Sequence, residues 1–289
     1  MLRKFFLIFV YFIPFTNIAL ADYQNSISLS LYQLEDNISS GDVEGQNISG
    51  THYFSQVETA KGPWELVPFI QRTGYIQLGM TTYKDTRFAG GEKGTNYSFK
   101  AVFAQPGSSF VYGASYEKDE TDIAGFIKLR SNSYGLSLGY FIGQYTLIST
   151  QMQRSKKPES YSFYEETDTE TQRFNLRKIF LYENGTAINM SVDYSKETYA
   201  SDEEFKTTSI SGDFFFNSQL SVGAHYKEVK SNLWISSVDG NTTVIKSNYF
   251  INQSLQLSAS YSEFKNNSIV LSYLGIKEKT LSLSGSYYF

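Results

Sequence analysis

Two histidines, His52 and His225, are the only imidazoles in 289 residues, and cysteine is absent. A hydrolase needs a base, most often His, within reach of a nucleophile, and protein zinc sites draw on Cys and His at fixed spacings. There is no H-E-x-x-H and no cysteine pattern, so the sequence offers no catalytic, cofactor-binding or metal-ligating set. What it does offer is charge at alternating positions. Lys100, Glu117, Arg173, Arg177, Asp193, Asp213, His225, Lys227 and Lys246 each fall on the polar side of a segment read as a strand, where successive side chains point to opposite faces. Five cations and three anions, with His225 apart, make a mildly basic wall. Arg173 and Arg177 are four residues apart and face the same way; Asp193 and Asp213, on the next two segments, are placed to neutralise them. Opposed charges across water set a transverse field that selects ions. The plainer reading is a set of solvated residues paired with their neighbours.

The elements that must position these residues are strands of about ten alternating residues. Their apolar sets are Phe110, Tyr112, Ala114, Tyr116; Tyr134, Leu136, Leu138, Tyr140; Ile188, Met190, Val192, Tyr194; Leu220, Val222, Ala224, Tyr226; and Leu255, Leu257, Ala259, Tyr261. The residues between them are mainly Ser, Gly, Asn, Asp, Lys and Gln. With 23 Tyr and 23 Phe, and tyrosines closing many sets, the pattern suits an interfacial aromatic girdle around a membrane-spanning barrel. Lys178 is awkward, since the same alternation turns it toward lipid; either it lies near the interface or its strand carries a bulge.

Turns repeat between the strands. Aromatics followed by polar residues occur at Tyr140 to Gln144, Phe214 to Gln219 and Tyr249 to Gln253, with equivalents at Gln105 to Ser108 and Glu183 to Thr186. From Pro106 the steps to Gly143, Asn184, Asn217, Asn252 and Phe289 are 37, 41, 33, 35 and 37 residues, one hairpin per step. Two further hairpins precede Pro106, divided near Gln56 to Glu65. Seven hairpins predict fourteen strands, within a range of 12 to 16, because Ile123 to Asn132 and Ser268 to Lys277 can be loop or strand. Pro63, Pro68, Pro106 and Pro158 all fall in or beside proposed turns and loops.

The ends place these strands in a compartment. Arg3 and Lys4, an apolar run from Phe5 to Ile18, and Ala19-Leu20-Ala21 predict a cleaved secretory leader over 1–21, leaving a barrel over 22–289. No later run of 18 apolar residues predicts a helical span. Without Arg3 and Lys4 the chain has 23 basic and 29 acidic residues, a net charge of −6 that argues against nucleic acid as a partner. The last strand puts Leu281, Leu283, Tyr287 and Phe289 on one side and Ser282, Ser284 and Ser286 on the other. It resembles the terminal strand of bacterial outer-membrane barrels, whose final aromatic is read by the β-barrel assembly machinery. The expectation is an all-β, transmembrane, antiparallel up-and-down β-barrel in outer-membrane lipid, with both termini periplasmic.

His52-Tyr53-Phe54, Val57, Ala60-Lys61-Gly62-Pro63, and Glu65 through Pro68-Phe69 to Arg72 resemble the second strand and first periplasmic turn of the putative general bacterial porin family. The resemblance implies passive diffusion of small hydrophilic solutes and ions through a water-filled barrel without a cofactor. It allows a homo-oligomer, although 268 mature residues are few for a sixteen-stranded trimeric porin with a large inward loop. The alternatives are a plugged or narrow barrel acting as a surface adhesin or receptor, through loops such as Ser155 to Glu170 (with Tyr161, Phe163 and Tyr164) or Tyr83 to Gly94, and, with less support, an outer-membrane hydrolase.

Overall fold

The computed structural model describes residues 22–289 except 38–40, 60–61, 88–90, 105–106, 124–126, 157–167, 184, 200–202, 232–238 and 267–276. The expected leader over 1–21 and most of the proposed loop at 155–170 lie outside the described residues. Fourteen strands follow one another: β1 (Asp22–Asp36), β2 (Asp42–Glu58), β3 (Tyr75–Asp85), β4 (Glu92–Ala104), β5 (Phe110–Ile123), β6 (Ile127–Ile142), β7 (Thr146–Lys156), β8 (Asp168–Leu181), β9 (Ala187–Tyr199), β10 (Glu204–Phe215), β11 (Leu220–Ser231), β12 (Gly240–Asn252), β13 (Leu255–Asn266) and β14 (Lys277–Tyr288). Each pairs antiparallel with its sequence neighbours, and β1 pairs with β14 to close the barrel. Closure leaves no open edge, which is what a sheet needs in lipid, where an unpaired N–H or C=O finds no water.

The alternation read from the sequence sets the two faces. Leu136, Leu78 and Ile245 are 71%, 61% and 58% exposed on the outer wall, a state tolerable for large aliphatic side chains only against lipid. Serines line the inside and bond across strands, as in Ser133 to Ser155 at 2.7 Å and Ser191 to Ser211 at 2.8 Å. The stretch from 123 to 132 is mostly strand: β5 reaches Ile123 and β6 begins at Ile127.

Two periplasmic turns share one construction. The Asn217 side-chain oxygen accepts the backbone N–H of Gln219 and of Leu220, and Asn252 does the same for Ser254 and Leu255, all at 2.8–2.9 Å. Each is an Asx turn that replaces two backbone bonds while reversing the chain. The turn after β6 instead uses Gly143 at φ 67°, a left-handed conformation that costs glycine little.

Candidate functional site: a two-chambered lumen above a folded turn

The connection from β2 to β3, residues 59–74, is far longer than the other periplasmic turns and folds into the barrel mouth. Pro63 accepts the N–H of Leu66 at 2.8 Å, and a single helical turn α1 (Val67–Ile70) follows, with Pro68 in its first turn where a missing N–H does no harm. Leu66 and Ile70 then pack on Ile179, Ala187 and Phe215, which come from the inner faces of β8, β9 and β10. Val67 packs the opposite way, on Tyr23 and Val57, with Tyr53 and Tyr288 beside them. Trp64 donates its N–H to Ser218 O at 3.2 Å and sets its ring edge-on to Phe250 of β12, with centroids 5.4 Å apart. Strands from both sides of the barrel are therefore bridged by one connection. Each large apolar side chain buried this way stabilises the docked form by about 1.5 to 3 kcal/mol.

Arg72 latches the end of this connection. It is the one non-glycine among the described residues with positive φ, 55°, a conformation costing about 1 to 2 kcal/mol. In return its guanidinium donates to Ser108 O at 2.9 Å and to Gly143 O at 2.6 Å, on two other periplasmic turns, and lies 4.3 Å over the Phe141 ring. Glu65 holds the other side: one carboxylate oxygen accepts from Ser221 Oγ at 3.2 Å and from Asn248 Nδ2 at 2.9 Å. Burial pushes its carboxyl above the ordinary range and nearby Asp213 adds to the rise, while Lys246 and the two hydrogen bonds oppose it.

Above this floor the described residues line an outer cavity of about 850 Å³ and an inner one of about 760 Å³. They share Gln77, Lys100, Ser137, Gln151, Arg173 and Asp193, which form the neck between them. Fourteen strands enclose more space than side chains fill, unlike the packed interior of an eight-stranded barrel. All nine lumen residues named from the sequence line these cavities. Glu117, His225 and Lys227 line the outer one, Arg177, Asp213 and Lys246 the inner one, and Lys100, Arg173 and Asp193 both. The inner wall carries Arg72, Lys100, Arg173, Arg177 and Lys246 against Glu65, Asp193 and Asp213, five against three. The outer wall carries Lys100, Arg173 and Lys227 against Glu117, Asp119, Asp193 and Glu197, three against four, with His225 counted in neither.

The expected pairing of the two arginines with the two aspartates is not what forms. Asp213 makes its ion pair with Lys246 at 2.8 Å, because Lys246 faces it across Gly223, where no side chain intervenes. Asp193 accepts from Asn175 at 2.7 Å and Ser191 at 3.4 Å. Asn189 mediates between the sets, accepting from Arg177 Nε at 2.8 Å and donating to Asp213 at 2.9 Å. Arg177 also stacks 4.3 Å over Phe69 of the floor. The inter-strand register decides these partners, and alternation along single strands does not contain it.

Lys178 needs no bulge: the β7 ladder runs unbroken up to it and the β9 ladder runs unbroken through it, and it sits near the periplasmic end of β8 with its ammonium 4.8 Å over the Phe180 ring. His52 faces outward on β2, bonded to Asn25 Oδ1 at 2.9 Å. Gly135-Leu136-Ser137-Leu138-Gly139 has the letters of a nucleophile elbow but runs straight within β6, and Ser137 bonds to no imidazole among the described residues. Folding the floor is what sequence reasoning missed, although Leu66, Val67, Phe69 and Ile70 in a turn meant for water were a signal available to find it.

A model of the family described as "Putative general bacterial porin" matches residues 8–173, more than half of the chain. The chain belongs to that family. This porin is thus an outer-membrane β-barrel channel protein and not an enzyme. Among solved structures its fold is similar to the Acinetobacter baumannii outer membrane protein Omp33, at 16% identity over 93% of this chain and 99% of that one, with a TM-score of 0.60. It is also similar to the CymD monoaromatic hydrocarbon channel (8% identity, 92% and 89% covered, TM-score 0.59) and the Pseudomonas putida toluene transporter TodX (10%, 91% and 89%, TM-score 0.51). No curated protein sequence matches the porin. The structural likenesses speak for the barrel and not for a shared solute.

Proposed function

We propose that this porin is gated from the periplasmic side: small hydrophilic solutes and ions enter the outer chamber, cross the neck at Lys100 and Arg173, and leave when the connection at 59–74 releases part of its grip on the wall. The observation that carries this reading is the floor itself, held on several strands by Leu66, Val67 and Trp64 and on two other turns by Arg72. The nine charged residues are the proposed ion path. The face formed by Leu281, Leu283, Tyr287 and Phe289 is the proposed contact for the β-barrel assembly machinery and lipid. Single-channel recording of refolded protein in planar bilayers tests the gate. Wild type should show brief, infrequent openings, and Arg72→Ala, which removes two hydrogen bonds to the neighbouring turns, should lengthen them. A stable, large wild-type conductance indifferent to Arg72→Ala would overturn it. The same floor supports a second reading, a permanently plugged barrel serving as a surface receptor, which predicts no channels in either protein.

A further inference from the structure

The inner chamber combines two features that its role as a passage does not require. Lys100 and Arg173 make no ion pair or hydrogen bond among the described residues, whereas the other inner cations are engaged: Lys246 by Asp213, Arg177 by Asn189, and Arg72 by two carbonyls. Both line the neck, Lys100 with its ammonium 5.9 Å over the Tyr75 ring. Below them lies an apolar arc. Val102 follows Lys100 by two residues on the inner face of β4, Tyr75 faces Val102 across the ladder, and Val111, Leu147 and Phe69 of the floor continue the surface. A cavity of a few hundred Å³ with apolar walls and a few convergent polar groups is the form of a small-molecule site.

We propose that the inner chamber binds an organic monocarboxylate with an apolar body, its carboxylate held by Lys100 and Arg173 and its body on the arc of Tyr75, Val102, Val111, Leu147 and Phe69. This rests on the reading of the lumen as a solute passage and names the class of solute it retains. Both cations reach the stretch that the two cavities share, and a guanidinium can take both oxygens of a carboxylate at once. Gln77, Ser137 and Gln151 at the same level supply further donors. Asp193, fixed there by Asn175 and Ser191, disfavours a second negative charge, so a monoanion is preferred over phosphate or a dicarboxylate. An apolar body without the acid would leave both cations unpaired, and the acid without the body would leave the arc wet.

Titration calorimetry of the folded, detergent-solubilised full barrel with benzoate tests this without requiring the channel to open. Benzoate should bind, with benzyl alcohol and inorganic phosphate at least about tenfold weaker. Lys100→Gln and Arg173→Gln should each weaken benzoate about tenfold, the size expected for losing a charge-assisted hydrogen bond. Both variants should keep the heat-modifiable mobility of a folded barrel. Lys265→Gln, near the end of β13 and outside both cavities, should bind as wild type does. Equal binding of benzyl alcohol would show an apolar pocket alone, equal binding of phosphate a general anion site, and unaltered benzoate affinity in the two glutamine variants a site elsewhere; each overturns the proposal. Benzoate binding in a protein that never conducts would support the site while removing the gated passage, and conduction without benzoate binding would do the reverse.

Discussion

The outer and inner chambers lie in one barrel and share most of their strands, yet only the inner one depends on residues that travel across the barrel to reach their partners. The outer wall is short-range chemistry: serines bonding to the next strand, as Ser133 does to Ser155, and acids such as Asp119 held by Asn96 and Ser131. The inner chamber is completed by a floor whose Leu66 meets Ile179, Ala187 and Phe215, well over a hundred residues away in sequence. A barrel wall can thus be specified by alternation and turns, whereas closing its mouth takes tertiary packing. The charge balance changes sign between the two, three cations against four anions outside and five against three inside, because the floor, β8 and β12 add Arg72, Arg177 and Lys246 against Glu65 and Asp213, where the outer wall adds Lys227 against Glu117, Asp119 and Glu197.

The difference can be broken most directly by removing the floor. Replacing residues 64–71 with a Gly-Ser linker should leave a folded barrel with conductance raised about tenfold, since the packed connection across the mouth is gone; conductance equal to wild type would show that the floor does not limit flow. Next in size is a test of the wall. Leu138→Arg, placing charge in mid-bilayer lipid, should cost about 2 to 4 kcal/mol in urea unfolding from liposomes, whereas Ser137→Arg at the neck should fold normally. Equal tolerance would contradict the two-faced wall on which both chambers depend.

A subtler effect is expected from Glu65. Its carboxyl is raised mainly by burial, so the docked floor holds a proton more tightly than an undocked one would. Docking is then favoured below the ordinary carboxylate range and weakens as pH rises through the raised value. The groups that face Glu65 are Lys246, Asp213, Arg177 and Tyr288, with Ser221 and Asn248 bonded to it. Open probability should therefore climb with pH, and Glu65→Gln, which cannot ionise, should flatten that climb. An identical pH profile in the variant would assign the dependence to another group. The smallest effect concerns the sign change between chambers: Arg173→Glu with Arg177→Glu should move the reversal potential toward cations at 0.1 M salt. Most of the shift should vanish at 1 M, where the screening length falls from about 10 Å to about 3 Å.

Much of the wall was legible before the structure. Period-two alternation gives a strand its two faces, and the recurring aromatic-then-polar turns fix where each strand starts, so parity alone carried Lys100, Arg173, Asp213 and Lys246 to the inside. Asn217 and Asn252 were legible for the same local reason: an Asn side chain bonds to N–H groups two and three residues on. Partner choice was not legible. Whether Asp213 meets Lys246 or an arginine depends on the offset between β10, β11 and β12 and on the gap left at Gly223. The floor was missed because Trp64 to Ile70 has no strand period and only a single helical turn, and its stability lies in contacts with distant strands.

Every strand but β1 and β14 finds both its partners next to it in the chain; the ring is completed when β14 reaches back to β1. There Phe289 O accepts from Gln24 N at 3.1 Å and Asn25 N at 2.8 Å, and Tyr288 lies 4.8 Å from Tyr23 between ring centroids. That seam closes the longest loop of the barrel, from Asn25 to Phe289, and so carries the largest single closure cost, although the cost grows only slowly with loop length. Val67 packs on Tyr23 and beside Tyr288, so the floor staples the seam it lies against. A mobile floor must then hinge there, keeping Val67 seated while Leu66 and Trp64 lift from the far wall, or each opening would loosen the ring itself.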